Sequence, residues 1–226
     1  MNERDSAAPN GSRGLLLSFE GIDASGKNTQ SNMLLDFLRA KGLPCEYLSF
    51  PVYSTAIGQE IAAFLSGKKE YTLESRHLLY ATNRYEFKDQ IERWLDEGKI
   101  VIANRYCESN LAYGVASGLE LEWLRNIESL MPQADYVFLL RATTSLSSTR
   151  KSGRDKFESN LDFLKRVSEV YEALAEQDRW ISINADGSID LIHHEISNLT
   201  MSLVAPIMRR PKISTAGETE RENLQR

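Results

Sequence analysis

The sequence predicts an α/β fold: a five-stranded parallel sheet flanked by helices on both faces. Three observations carry this. Five short apolar runs alternate with stretches of helical periodicity, the pattern of strands crossed over by helices. A glycine-rich segment, Gly21-Ile22-Asp23-Ala24-Ser25-Gly26-Lys27, joins the first run to the first helical stretch. The 226 residues, 42% hydrophobic, suit one domain with a full core.

Each element has a local reason. Leu15 to Phe19 is an apolar strand that meets a turn at Glu20-Gly21. Asn28 to Lys41 carries Leu34, Leu35, Phe37 and Leu38 at helical spacing, and Gly42 stops it. Cys45 to Phe50 is the second strand, broken by Pro51. Thr55 to Glu97 reads as one long helical stretch, ended by Gly98. Ile100 to Ala103 is the third strand, Leu119 to Leu130 a helix, and Tyr136 to Leu140 the fourth strand. Asn160 to Glu176 is a helix, Trp180 to Asn184 the fifth strand, and Ser188 to Arg209 the last helix. Residues 14–209 are expected to form the domain. The polar ends, 1–13 and 210–226, read as disordered.

Bulk properties exclude some functions. A net charge of −5 argues against coating a nucleic-acid duplex. No apolar run approaches the roughly 18 to 20 residues that span a bilayer. The N-terminus has no apolar core, so no secretory signal is expected. Cys45 and Cys107 read as buried thiols rather than a disulfide framework, which fits the cytoplasm.

The glycine-rich segment reads as a phosphate cradle, against the plainer reading of a glycine turn with a solvated lysine. Its glycines let successive backbone N–H groups turn inward, and the following helix adds its positive end. The ATP-phosphate site is Gly21, Ile22, Asp23, Ala24, Ser25, Gly26, Lys27, Asn28 and Thr29, with Lys27 reaching the β- and γ-phosphates. The residue after the lysine is normally Ser or Thr, whose hydroxyl holds Mg²⁺. Asn28 stands there, and an amide oxygen can also ligate a hard cation.

The acceptor side is marked by Arg84. At about 100° per residue it falls mid-stripe with His77, Tyr80, Phe87 and Ile91. A guanidinium on an apolar face needs a partner. One reading is a core ion pair, with Glu60 as a candidate. The other is a ligand-facing arginine that donates to the carbonyl of a base stacked on Tyr80. Arg105 follows the third strand directly, where it suits a phosphate shared by donor and acceptor. Ser109, Asn110 and Tyr113 come next, either as ligand groups or as a polar helix start with a packed tyrosine. Arg150-Lys151-Ser152-Gly153-Arg154-Asp155 reads as a lid, about 145–158, or as a solvated basic loop. His77, His193 and His194 read as incidental.

At this point the chain resembles the thymidylate kinase family, from about Leu15 to Trp180. Phe19 to Asp23, running into Gly26 to Gln30, resembles its P-loop. Phe50 to Thr55 resembles its Phe-Pro segment, and Leu79 to Arg84 its base-binding helix. Asn104 to Tyr106 and Ser109 to Tyr113 resemble its Asp-Arg-Tyr segment and the helix after it. Arg154 to Glu158 resembles the end of its lid. The resemblance implies a P-loop nucleoside-monophosphate-kinase fold, strand order 2-3-1-4-5 and a homodimer. It implies ATP and Mg²⁺ as cofactors and dTMP as substrate.

Roles follow from the same resemblance. Tyr80 would stack on thymine, Arg84 would bond its carbonyl, and Asn110 would touch the base. Tyr113 would crowd the sugar's 2′ position, and Phe50, Tyr53 and Ser109 would line the site. Arg105 would hold the acceptor phosphate. Asp23 would help place Mg²⁺ and that phosphate, and Arg150 and Arg154 would close over ATP. The catalytic set is therefore Lys27, Asp23, Arg105, Arg150 and Arg154, with Asp23 and Asn28 toward the metal. Departures are Asn28, Asn104 in place of Asp, Tyr53 where some members carry Arg, and Arg141 where an acid often ends the fourth strand. Asp23 and Glu20 remain as acids near the metal, so turnover should need more Mg²⁺. The alternatives are a kinase of another nucleoside monophosphate and a silent P-loop nucleotide-binding protein.

Overall fold

The computed structural model describes residues 13–142 and 161–208. Five strands run through it: β1 (Leu15–Glu20), β2 (Cys45–Ser49), β3 (Ile100–Asn104), β4 (Tyr136–Arg141) and β5 (Trp180–Asn184). They form one parallel sheet in the order β2-β3-β1-β4-β5, the order the resemblance implied. Among the described residues the helices are α1 (Lys27–Ala40), α2 (Ala56–Leu65), α3 (Leu73–Tyr85), α4 (Lys88–Asp96), α5 (Cys107–Ala116), α6 (Leu121–Glu128), α7 (Leu161–Leu174) and α8 (Ile189–Met208). The Phe50–Pro51 peptide is cis.

The strands are apolar because both sheet faces are covered. Leu15, Leu17 and Phe19 of β1 point to one face and pack with Leu34 and Leu38 of α1 and Ile192 and Ile196 of α8. Leu16 points to the other face, against Ile91 and Leu95 of α4, Ala112 of α5 and Val167 of α7. The period-2 alternation puts Ser18 and Glu20 on that second face too, fully buried.

The stretch 55–97 is three helices, not one. Thr55 accepts a bond from Gly58 N at 3.0 Å and starts α2. After Leu65 the apolar period stops, and Gly67 turns the chain at φ 75°. Thr72 accepts from Ser75 N at 3.3 Å and caps α3. A break at Glu86-Phe87 separates α3 from α4. Both cysteines are free; Cys45 is buried and Cys107 half-buried. Among the described residues no helix is long and apolar enough to cross a membrane.

Candidate active site

The carboxyl ends of β1 and β3 are neighbours, with Phe19 in register with Asn104. The loop after β1 is wound by residues at positive φ: Gly21 at 137°, Ala24 at 59° and Gly26 at 96°. A Cβ on Gly21 would lie 2.5 Å from the Leu140 carbonyl oxygen, so only glycine fits there. Gly26 begins α1 without a side-chain cap, leaving the helix's first N–H groups directed at the loop. Lys27 Nζ donates to the carbonyls of Gly21 (2.9 Å) and Ile22 (2.6 Å). This puts a buried ammonium within the curl of the loop. Beside it opens a cavity of about 470 Å³. Its walls are the loop, Asn104 and Arg105, and on the far side Ala185, Gly187, Ile189 and Ile192. Sequence reading missed that far wall; its only signal was its place just after the fifth strand.

Arg105 sits at φ 60°, in the left-handed region that a side chain rarely adopts. Its conformation is held from β1. Arg105 N donates to Phe19 O at 3.1 Å, and Tyr106 N donates to Glu20 Oε1 at 2.7 Å. So aimed, the guanidinium makes a close charge-assisted bond to Asp23 Oδ1 and lies 5.7 Å from the Tyr113 ring centroid. Burial is the largest influence and opposes its charge, but Asp23, Tyr113 and Tyr171 together outweigh it and hold the guanidinium well above its ordinary pKa.

A second cavity, of about 250 Å³, opens on the other side of this pair. Phe50, Tyr53, Tyr80, Arg84, Arg105, Ser109, Asn110 and Tyr113 all line it, so the eight acceptor-side residues share one space. Asp23 and Arg105 belong to both cavities. Arg150 and Arg154, and the lid about 145–158, lie outside the described residues.

Three acceptor-side expectations change. The Arg84 partner is Glu128 at the end of α6, not Glu60: Nε donates to Oε2 at 3.1 Å, and Nη2 makes a close bond to Oε1. Glu60 lies on α2, separated from α3 by the turn at Gly67, and is taken by Lys69 and Tyr71. His77 is not incidental. It is buried in the cavity wall, its Nδ1 is 2.7 Å from Asn110 Oδ1, and its ring meets Tyr80 edge-on. Burial lowers its pKa, and the nearby Arg84 and Arg76 lower it further against the bond to Asn110. Ser109 donates to Glu20 Oε2 at 2.5 Å while its residue borders the cavity.

Residues 19–196 match the family model described as "Thymidylate kinase". The chain belongs to the thymidylate kinase family. It is 35% identical over 189 residues to the thymidylate kinase of Dictyostelium discoideum, covering 83% of this chain and 85% of that one. The human thymidylate kinase is 30% identical over 203 residues, covering 88% and 95%. The solved thymidylate kinase of Candida albicans superposes with a TM-score of 0.73 at 26% identity, covering 86% and 94%. The chain is thus a nucleotide-binding kinase built on the P-loop nucleoside-monophosphate-kinase fold.

Against that family's pattern, the acids expected near a metal are rearranged. Glu20 points away from the cradle onto the α5 and α7 face. There it accepts bonds from Ser18 Oγ (2.9 Å), Tyr106 N, Ser109 Oγ and Tyr171 OH (2.9 Å). Burial, and then Glu108, push its pKa up. Asn28 Oδ1 accepts from Asn32 Nδ2 at 3.1 Å and Tyr47 OH at 3.4 Å. Asn104 Nδ2 donates to Ser49 Oγ at 3.0 Å; its Oδ1 is buried without a hydrogen-bond partner among the described residues, next to the cradle cavity. Arg141 is exposed and paired with Glu172. Among the described residues no group of three or more His, Cys, Asp or Glu is placed to hold a metal ion. This donor set of one acid and amide oxygens suits an ion that keeps most of its waters and rides on phosphates, as Mg²⁺ does.

Proposed function

We propose that this chain transfers the terminal phosphoryl group of ATP to dTMP, giving ADP and dTDP. One observation carries the reading. The phosphate cradle and the acceptor cavity meet at a single ion pair, Asp23 and Arg105, that walls both. Two phosphorylated ligands entering from opposite sides would place their phosphates against the same guanidinium. That is the in-line geometry phosphoryl transfer requires.

The residues divide the work. Lys27 and the loop N–H groups neutralise the ATP phosphates, and Ala185, Gly187 and Ile189 flank the space where the nucleoside part would lie. Arg105 holds the acceptor phosphate, with Arg150 and Arg154 proposed to close over ATP. Tyr80 and Phe50 offer faces to a base, and Arg84 donates to its carbonyl. Tyr113 packs where the sugar would sit. Asp23 and the amide oxygens of Asn28 and Asn104 would hold Mg²⁺ with its waters, and the ion would supply charge neutralisation at the phosphates. The attacking oxygen is already anionic, so no strong general base is needed. A homodimer and a cytoplasmic location accompany this reading; the first rests on likeness to the family, the second on the two free thiols.

The test is a phosphorylation screen over dTMP, dUMP, CMP, AMP and GMP with ATP and ample Mg²⁺. The reading expects ADP formation fastest with dTMP. Preference for another acceptor, or no ADP with any, overturns it.

A further inference from the structure

We propose that Glu128 and His77 are positioning residues that fix the acceptor-base specificity by locking the side-chain amide of Asn110. The inference rests on the proposed use of this cavity for a pyrimidine nucleotide.

The lock follows from hydrogen-bond counting. Asn110 Nδ2 faces two groups that only accept, Glu128 Oε1 at 2.6 Å and the His77 carbonyl at 3.2 Å. Both amide hydrogens are therefore committed, and this fixes which end of the amide is nitrogen. Asn110 Oδ1 must then be the atom 2.7 Å from His77 Nδ1, so Nδ1 carries the proton and donates. One lone pair on Oδ1 remains. Asn110 can offer the cavity an acceptor and nothing else.

Arg84 has the opposite endowment. Nε and one Nη2 hydrogen are spent on Glu128, and its remaining N–H groups are donors only. The cavity edge formed by Arg84 and Asn110 is thus a fixed donor beside a fixed acceptor. A pyrimidine ring carrying an oxo group next to a ring N–H complements that edge. A ring with an amino group next to a bare nitrogen meets donor with donor and acceptor with acceptor. Were the amide to flip, Asn110 would present N–H groups to the bare nitrogen, and one of the two mismatches that exclude the second kind of ring would disappear.

Glu128 sits where local structure does not favour it. It is the last residue of α6, where the helix end repels an anion, and its side chain is only 5% exposed. A buried carboxylate there is sustained by Arg84 and Asn110 together. It bridges α3, α5 and α6 and holds both base-reading residues with one side chain.

The experiment compares dTMP with dCMP as acceptors of the full chain, as the ratio of their kcat/KM values, alongside KM for ATP. In Glu128→Gln the amide can flip, because a glutamine donates as well as accepts. The ratio should fall about ten-fold or more with KM for ATP unchanged. His77→Phe leaves the Arg84–Glu128 pair intact and removes only the donor to Oδ1. It should lower the ratio about three-fold or more, and it decides the matter alone if Glu128→Gln does not fold. An unchanged ratio in the folded variants, with uniform loss on both acceptors, overturns the inference. Wild type that turns over dTMP while the ratios stay fixed sinks the lock only; wild type inert toward dTMP sinks the proposed function itself.

Discussion

The backbone N–H of Tyr106 donates to Oε1 of Glu20 across 2.7 Å, tying the last residue of β1 to the turn that carries Arg105. Glu20 is fully buried, and three hydroxyls complete its shell. Burial, with Glu108 nearby, raises its pKa above the ordinary value of 4.5. The sign follows. A carboxyl whose folded value is raised adds stability when protonated, and that contribution is lost as pH climbs through the raised value. Wild type should therefore lose melting temperature relative to Glu20→Gln as pH climbs above the ordinary carboxyl value of 4.5. The slope approaches at most about 1.4 kcal/mol per pH unit while the proton is leaving. Parallel thermal-unfolding curves for the two proteins would refute this.

Arg105 is aimed by its backbone as well as by its charge. Arg105→Ala should reduce kcat/KM for the acceptor on the order of 10²- to 10³-fold, the cost typical of removing one preorganised donor from developing charge. KM for ATP should move far less, since Lys27 and the loop remain. Steady-state kinetics with each substrate varied in turn checks the split. Equal effects on both substrates would contradict the assignment of Arg105 to the acceptor phosphate.

Asn28 holds its amide oxygen against Asn32 and Tyr47. Asn28→Thr restores a hydroxyl at the head of α1. The expected result is half-maximal turnover at several-fold lower Mg²⁺. A magnesium titration of rate at saturating nucleotides measures it, and identical titration curves would show that position 28 does not handle the ion.

Gly21 has no room for a methyl group. A Cβ would sit 2.5 Å from Leu140 O and 2.9 Å from Ser25 Oγ, at φ 137°. Gly21→Ala should lower stability by about 1 to 3 kcal/mol and displace the loop from β4. Chemical denaturation together with ATP-analogue binding by calorimetry tests this. Binding and stability both at wild-type level would mean that the loop relaxes freely.

The parts of the site readable in the sequence are those where neighbours in sequence are neighbours in space. The cradle is one contiguous turn, so Gly21 to Lys27 announced it and the structure wound it as expected. Arg84 was conspicuous because a charge on an apolar stripe demands a partner. The partner's identity was not readable, because Glu128 lies 44 residues on and on another helix. Glu60 was the wrong candidate: it is bonded to Lys69 and Tyr71, and even a continuous helix would have held it about seven turns from Arg84. Glu20 looked like a metal-side acid by proximity to Asp23, yet strand alternation sends it to the opposite sheet face. Ile189 carries no chemistry of its own and gains a place in the cradle wall only through the position of β5.

The parallel pairing of β1 with β3 has a geometric consequence. The cradle and the Arg105 turn leave the sheet from adjacent strands at matched register, Phe19 opposite Asn104. Adjacent strands lie about 4.8 Å apart. The turns that carry Asp23 and Arg105 therefore set out one strand spacing apart, so the two halves of the shared ion pair are neighbours before any side chain is placed.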